Sequence, residues 1–350
     1  MTESTAANSP KVSIVTTTHN QEAYVREAFD SFVAQQTDFP VEVIVADDAS
    51  TDSTPAIIRE YAERYPQLFR PIFRSQNLGL NANLTGALSA ARGEYIALCE
   101  GDDYWIDPLK LSKQVAFLDR HPKTAVCFHP VRVIWTGVEA EDSKFVHVFM
   151  RKFAQAFLRK FPPPLYAGDR SVEVLLSRNF IQTNSAMYRR LPCYDDIPLD
   201  VMPLDWYLHV RHAVQGDIAM LPEAMAVYRR HTQGMWYNAI VDPAEFWLTQ
   251  GLGHAATFDA MLDLVSGDSV REKIIAKNAN WILRTIAKKV PGPEGRALLL
   301  DTIAQYPRIA MLALQHRWAQ TPRGRFETLR CRLATATASQ RALVDVDSHA

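Results

Sequence analysis

The sequence predicts an α/β protein whose mostly parallel sheet carries helices on both faces, followed by a C-terminal helical region. Three observations predict it. Four short apolar runs alternate with three stretches of helical apolar spacing before residue 100, the pattern of a parallel sheet. Polar clusters follow the first, second and fourth of those runs, at the strand ends where such sheets bind ligands. From about residue 239 the apolar spacing is helical only.

Taken in order, Val12-Ser13-Ile14-Val15-Thr16 is short and β-branched, which favours a strand. Asn20 is expected to cap the next helix, on which Ala23, Ala28, Phe29, Phe32 and Val33 share a face. Val41 to Ala46 is the second strand. It runs into DDASTDSTP, a polar turn whose Pro55 suits a first helical position. Ile57, Ile58, Tyr61 and Tyr65 mark the second helix, and Phe69 to Phe73 the third strand. Leu80, Leu84, Ala87, Leu88 and Ala91 mark a third helix that Gly93 stops, and Tyr95 to Cys99 is the fourth strand. Residues 105–235 mix helical and strand-like pieces. Trp247, Leu252, Phe258 and Leu262, then Ile275, Trp281, Ile282 and Ile286, give the C-terminal helices. The expected division is a disordered tail over 1–10, an α/β domain over 11–238, a helical region over 239–334 and a disordered Ala/Ser/Thr-rich tail over 335–350.

Composition bounds the function. The 350 residues are 47% hydrophobic and 22% charged, as in an ordinary globular core. A net charge of −1 gives no whole-molecule field for nucleic acid. The four cysteines are scattered without a C-x-x-C, which argues against zinc ribbons and suits a reducing compartment. MTESTAANSP lacks an apolar signal core, and no apolar run approaches the ~18 residues of a membrane span. The expectation is a cytoplasmic protein, at most peripheral at the inner face of the membrane. The sequence does not give an oligomeric state.

The stretch CEGDDYWIDP places Glu100, Asp102 and Asp103 within four residues, straight after the fourth strand. Crowded carboxylates repel, and burying them is costly unless a cation, a basic side chain or water arrives. No G-x-G-x-x-G follows the first strand and no P-loop occurs. Phosphates would therefore be held through a metal, and a divalent ion shared with diphosphate oxygens needs one or two protein carboxylates. Asp102 is the expected ligand, with Asp103 and Glu100 close by.

VSIVTTTHNQEAYV, VIVADDASTDST, NLGLNANLTGALSAARGEYIALCEGDDYW and YRRHTQGMW together resemble the family-2 glycosyltransferases of the GT-A fold. The resemblance spans Lys11 to Trp236. It implies inverting transfer of a sugar from a nucleotide diphosphate donor, usually with Mn²⁺ or Mg²⁺. It places Thr17 at the nucleoside, and Asp48 at the uracil ring, where a carboxylate can accept the N3–H. Asn20, Glu22 and Asp103 join the nucleotide side. Glu100-Gly101-Asp102 stands at the D-x-D position, with Glu replacing the first Asp. Asn77 and Asn83 match family asparagines. Turn capping by Asp47 or Asp48 and plain strand packing of Thr17 are the alternatives.

Inverting transfer needs a base for the acceptor hydroxyl. The resemblance implies an acid at a helix start well downstream, and Asp205 in MPLDWYLHV fits; Asp195, Asp196 and Asp200 compete less well. The resemblance makes His231 a metal or diphosphate contact on a C-terminal loop, with Arg229 and Arg230 as phosphate candidates. NFIQTNSAMYRR is expected to be a strand on the acceptor side, offering Thr183, Asn184 and Ser185 to sugar hydroxyls.

Phe145, Phe149, Phe153, Phe157 and Phe161 recur every four residues, within a stripe of roughly 160° on a helix. Lys144, Arg151, Lys152 and Arg159 lie mostly opposite. Residues 144–161 thus suit a membrane interface, and equally an aromatic stripe packed on the catalytic domain. The acceptor expected by analogy is a glycan or lipid-linked glycan of surface polysaccharide biosynthesis. The alternative function is a nucleotide-sugar-binding protein without transfer, raised by Glu100. A nucleotidyltransferase would want a Gly-rich basic loop, and TTHNQEAY has neither glycine nor lysine.

Overall fold

The computed structural model describes residues 9–136 and 171–321. The aromatic and basic stretch over 144–161 and the tail over 335–350 lie outside the described residues, as do residues 1–8 of the N-terminal tail.

Strand β1 (Val12–Thr18) is buried along its whole length, which is why its apolar run is continuous rather than alternating. Helix α1 (Val25–Val33), β2 (Val41–Asp47), α2 (Thr54–Arg64), β3 (Phe69–Phe73), α3 (Leu80–Ala90) and β4 (Tyr95–Leu98) follow in the expected order. Then come β5 (Tyr104–Trp105), α4 (Lys110–Arg120), β6 (Thr124–Phe128), β7 (Val131–Thr136), α5 (Ser171–Ser177) and β8 (Met187–Arg189). The α/β part closes with α6 (Leu204–Ala213), β9 (Asp217–Met220), β10 (Ala226–His231) and α7 (Met235–Val241).

The main sheet has the order β3-β2-β1-β4-β8-β6-β9. Strands β1 to β4 pair in parallel, β8 runs antiparallel to β4 and β6, and β6 and β9 are parallel. A second sheet has the order β5-β10-β7. Thr18 pairs with Asp47 and Val15 with Leu98, so the ends of β1, β2 and β4 open on one edge. Beneath them Phe29 stacks edge-on against Tyr61 and Phe69 at 5.1 and 5.2 Å.

Gly93 does more than stop α3. A Cβ there would meet the Ser13 nitrogen at 2.4 Å and the Val12 carbonyl carbon at 2.7 Å, so only glycine lets the chain enter β4 against β1. Beside it, buried Glu42 accepts from Ser13 Oγ at 2.7 Å and from the Arg92 guanidinium.

Asn20 is not the cap of α1. Residues 21–24 form a turn first, and Tyr24 precedes the helix without a side-chain cap. Asn20 instead sits at φ +51°, a conformation asparagine tolerates. Its Oδ1 accepts from the Thr51 N–H at 2.8 Å, and its own N–H donates to Ser50 Oγ at 2.9 Å. It ties the loop after β1 to the loop after β2.

The chain divides into two compact units at Phe246/Trp247. Trp236 stacks on Phe246 at 5.6 Å, which keeps the segment from α7 onward with the first unit. The second unit holds most of α8 (Pro243–Leu264), with α9 (Ser269–Lys289), α10 (Pro293–Gln305) and α11 (Pro307–Ala319). Asp268 caps α9 by accepting the Val270 and Arg271 N–H groups. Among the described residues no single helix is long and apolar enough to cross a membrane.

Candidate active site

A cavity of about 470 Å³ opens at the strand edge. Thr17, Asp48, Glu100, Asp102, Asp205 and His231 all line it. Residues from five separate segments therefore meet where the polar clusters pointed.

The acid loop is held from two sides. The Gly101 N–H donates to the Thr17 carbonyl at 3.2 Å. A Cβ on Gly101 would meet Gln21 Oε1 at 2.4 Å and Thr18 Cγ2 at 2.7 Å, so glycine alone lets the loop lie against β1. From the other side comes β10. The Arg229 N–H donates to Asp103 Oδ1 at 2.8 Å, and Arg229 Nε donates to the Asp102 carbonyl at 2.9 Å. The far end of that guanidinium pairs with Glu27 and lies over the rings of Tyr24 and Tyr104. Burial pushes the Asp103 carboxyl up, aided by the charges of Asp102 and Glu100 and opposed by Arg229. Burial, with Asp102 beside it, also pushes Glu100 up.

Arg229 therefore braces the acid loop through its backbone N–H and Nε, and it also lines the cavity. His231 is the last residue of β10, paired with Thr136 of β7, not part of a C-terminal loop. Its Nε2 lies 3.0 Å from Asp102 Oδ2, while its buried Nδ1 has no partner among the described residues. Arg230 lines the cavity against the ring of Trp135, and its Nε also lacks a partner.

Asp205 lies in the first turn of α6. Its Oδ2 accepts from Thr183 Oγ1 at 3.1 Å and Asn179 Nδ2 at 3.3 Å, and its Oδ1 from the Trp206 N–H at 2.7 Å. Burial raises this carboxyl, and those three bonds partly offset the rise. Asp195 and Asp196 are engaged elsewhere, with Ser89 and Arg211.

Other expected contacts change on inspection. Asp48 lines the cavity, but its two oxygens accept the Leu78 and Gly79 N–H groups at 2.8 and 2.9 Å. It fixes the entry to α3 as a turn cap, leaving lone pairs toward the cavity. Glu22 is exposed and outside the cavity wall. Its Oε2 accepts the Ser53 N–H at 2.9 Å, stitching the start of α2. Asn184 and Ser185 are buried and do not line the cavity. They sit in a buried 3-10 turn before β8, where Asn184 donates to the Val227 carbonyl and Ser185 to the Gln182 carbonyl. Thr183 of the same turn does line the cavity. Asn83 lines the cavity, donates to the Ala46 carbonyl and accepts from Arg74.

Two cavity residues carried no sequence signal. Trp135 reaches the site through the β7–β10 pairing, and Gln21 through the contact with Gly101; Trp135 Nε1 and Gln21 Oε1 are buried without partners among the described residues. Among the described residues no group of three or more His, Cys, Asp or Glu side chains could hold a metal. The Asp102–His231 pair does fit two adjacent positions of an octahedral ion, since ligands at about 2.1 Å and a right angle are about 3.0 Å apart.

Residues 13–196 match the family described as Glycosyl transferase family 2. The chain belongs to that family. The member is thus a glycosyltransferase with a GT-A-type fold. An uncharacterised protein of Mycobacterium tuberculosis is 61% identical over 332 residues, covering 95% of this chain and 90% of that protein. Two solved structures share the fold. S. aureus TarS 1-349, in complex with UDP-GlcNAc, gives a TM-score of 0.60 at 20% identity, covering 85% of this chain and 81% of that one. The mannosyltransferase PcManGT from Pyrobaculum calidifontis, in complex with GDP-Man and Mn²⁺, gives 0.53 at 19% identity, covering 89% and 88%.

Proposed function

We propose that this glycosyltransferase moves a sugar, with inversion, from a nucleotide diphosphate donor to a hydroxyl of a glycan or lipid-linked glycan, and that the donor is a UDP-sugar. One observation carries the reading. Asp102 and His231, 129 positions apart, stand 3.0 Å from each other on the wall of a cavity that Asp205 also lines. Three buried nitrogens of that wall, Trp135 Nε1, Arg230 Nε and His231 Nδ1, have no partner among the described residues and suit a phosphate-bearing ligand, since buried polar groups otherwise find partners.

Asp102 and His231 would hold Mn²⁺ or Mg²⁺ together with the diphosphate. When bound, the ion stabilises negative charge on the leaving diphosphate. Asp205 accepts the proton of the acceptor hydroxyl as its oxygen attacks the anomeric carbon. The new C–O bond forms while the bond to the diphosphate oxygen breaks, and that oxygen leaves with the electron pair. Thr183 and Asn179 aim the Asp205 carboxylate. Arg230 supplies a cation near the diphosphate. Asp48 can accept the uracil N3–H with a lone pair left over from its backbone bonds. The GDP-Man complex of a structural neighbour keeps a guanine donor as the competing choice.

The test is a screen of UDP- and GDP-sugars by thermal shift with and without Mn²⁺, followed by product assay on the donor that binds. A shift that needs both metal and donor is expected. Asp205→Asn should keep that shift and lose transfer by about 10²–10⁴-fold. Wild type that binds donor but transfers nothing to any acceptor or water supports a binding protein instead. A shift with NAD would overturn the reading altogether.

A further inference from the structure

Lys110, in the first turn of α4, is a buried amine that the catalytic reading does not use. None of its surface is exposed, and among the described residues no carboxylate pairs with it. Its Nζ lies 4.0 Å from the centre of the Trp105 ring and donates to Gln114 Oε1 at 2.8 Å. Burying a cation without a counter-ion is costly, and an apolar side chain of similar length would fill the space at less cost. What the amine supplies is direction. With Oε1 held by Lys110, the Gln114 Nε2 is left to donate, and it does so to the Ser185 carbonyl at 3.0 Å and the Cys127 carbonyl at 3.2 Å.

Ser185 ends the 3-10 turn Thr183–Ser185, and each residue of that turn is tied to another element. The Asn184 carbonyl accepts from Trp105 Nε1 at 2.9 Å, and the Asn184 side chain donates to the Val227 carbonyl of β10 at 2.9 Å. Thr183 Oγ1 donates to Asp205 Oδ2 at 3.1 Å. Trp105 stands two residues after Asp103, so its indole N–H joins the acid loop to the turn. A lone 3-10 turn has poor bond geometry of its own. The donors that reach it from β5 and α4 therefore decide where it sits.

We infer that Lys110, Gln114 and Trp105 are positioning residues for the base: they hold the turn so that the Thr183 hydroxyl stays on the Asp205 carboxylate. None of the three lines the cavity, and none is bonded to Asp205. The bond they protect is one of three that favour the ionised carboxyl, so its loss makes Asp205 harder to ionise. The titratable groups around Asp205 are Glu100, Asp102 and His231, which share the cavity wall, and the bonded pair Tyr188 and His209. All five stay in place in every variant below. The role rests on Asp205 being the base proposed above.

The test uses the full chain with Lys110→Met and Gln114→Leu made together, so that no buried amine is left unpaired, beside Thr183→Val and all three changes combined. The Asp205 carboxyl is titrated by NMR in protein labelled with ¹³C-aspartate and assigned by its loss in Asp205→Asn, and kcat/KM is followed against pH. The double variant should move the titration upward, as Thr183→Val does, and lower kcat about tenfold or more. It should leave Mn²⁺-dependent donor binding unchanged. Adding Thr183→Val to it should move the titration no further, whereas a field effect of the lost amine would add. If the double variant unfolds, Trp105→Phe keeps a ring face for Lys110, removes the donor to Asn184 and reads the same rise. An unmoved titration, shifts that sum, or donor binding lost in step with kcat would overturn the role. A wild type that transfers no sugar, with variants that still move the carboxyl, would remove the base reading and leave the positioning of Asp205 standing.

Discussion

At Asp205, burial and hydrogen bonding pull in opposite directions. Burial raises the carboxyl, while the Trp206, Thr183 and Asn179 donors lower it. A base must be ionised, so kcat/KM should fall as pH drops through the Asp205 pKa, and this limb should lie above the ordinary aspartate range. Thr183→Val removes one of the lowering bonds and should move the limb upward. A profile that does not move in that variant would separate Asp205 from the proton transfer. The position of Asp205 was legible because Pro203 precedes it and a helical run follows. Its partners were not, since Asn179 and Thr183 reach it from another part of the chain. Asp48 shows the reverse: its motif is plain, yet its two bonds to Leu78 and Gly79 appear only once α3 is folded against β2.

Among the elements, β10 carries most of what sequence reading could not place. VYRRHTQGMW reads as a polar loop, but Ala226 to His231 pair with β7 on one side and β5 on the other. Such long-range pairing leaves no local periodicity, so the brace role of Arg229 and the arrival of Trp135 were invisible. Strands β1 to β4 were legible because each is short, apolar and flanked by turn residues. Arg229→Met removes the bond to the Asp102 carbonyl and the pair with Glu27, but keeps the backbone bond to Asp103. Loss of charged hydrogen bonds of this kind should cost about 1–3 kcal/mol, read as a lower urea midpoint. It should also weaken Mn²⁺-dependent donor binding several-fold. A variant with intact metal-dependent binding would mean the acid loop holds its shape without the guanidinium.

Over the whole molecule, several buried bases are neutral where they would be charged in water. Burial lowers Lys110 to about 7 and His129, His209 and His212 to about 3. Lys110 is buried against the ring of Trp105 and bonds Gln114 at 2.8 Å; His209 and His212 meet the hydroxyls of Tyr188 and Tyr194. The unfolded chain binds more protons than the folded one, from about pH 7 to 10.5 through Lys110 and from about pH 3 to 6.5 through the histidines. These four bases therefore contribute stability that rises with pH in both windows, by about 1.4 kcal/mol per pH unit for each proton, while the raised carboxyls of Glu100, Asp103 and Asp205 oppose the rise in the lower window. Urea midpoints at pH 5, 7 and 9 would show it, and Lys110→Met should flatten the upper window. The pairing of β5 with β10 also sets the smallest workable piece of the chain. The family match ends at residue 196, and an expression fragment trimmed to that border would keep Glu100, Asp102 and Asp103. It would shed α6 and β10, and with them the carboxylate on the first turn, the imidazole, and every positive group facing the acids. Such a fragment leaves three crowded acids without the Arg229 brace and the imidazole, so shortened versions should be cut no earlier than the end of the α/β unit at Phe246.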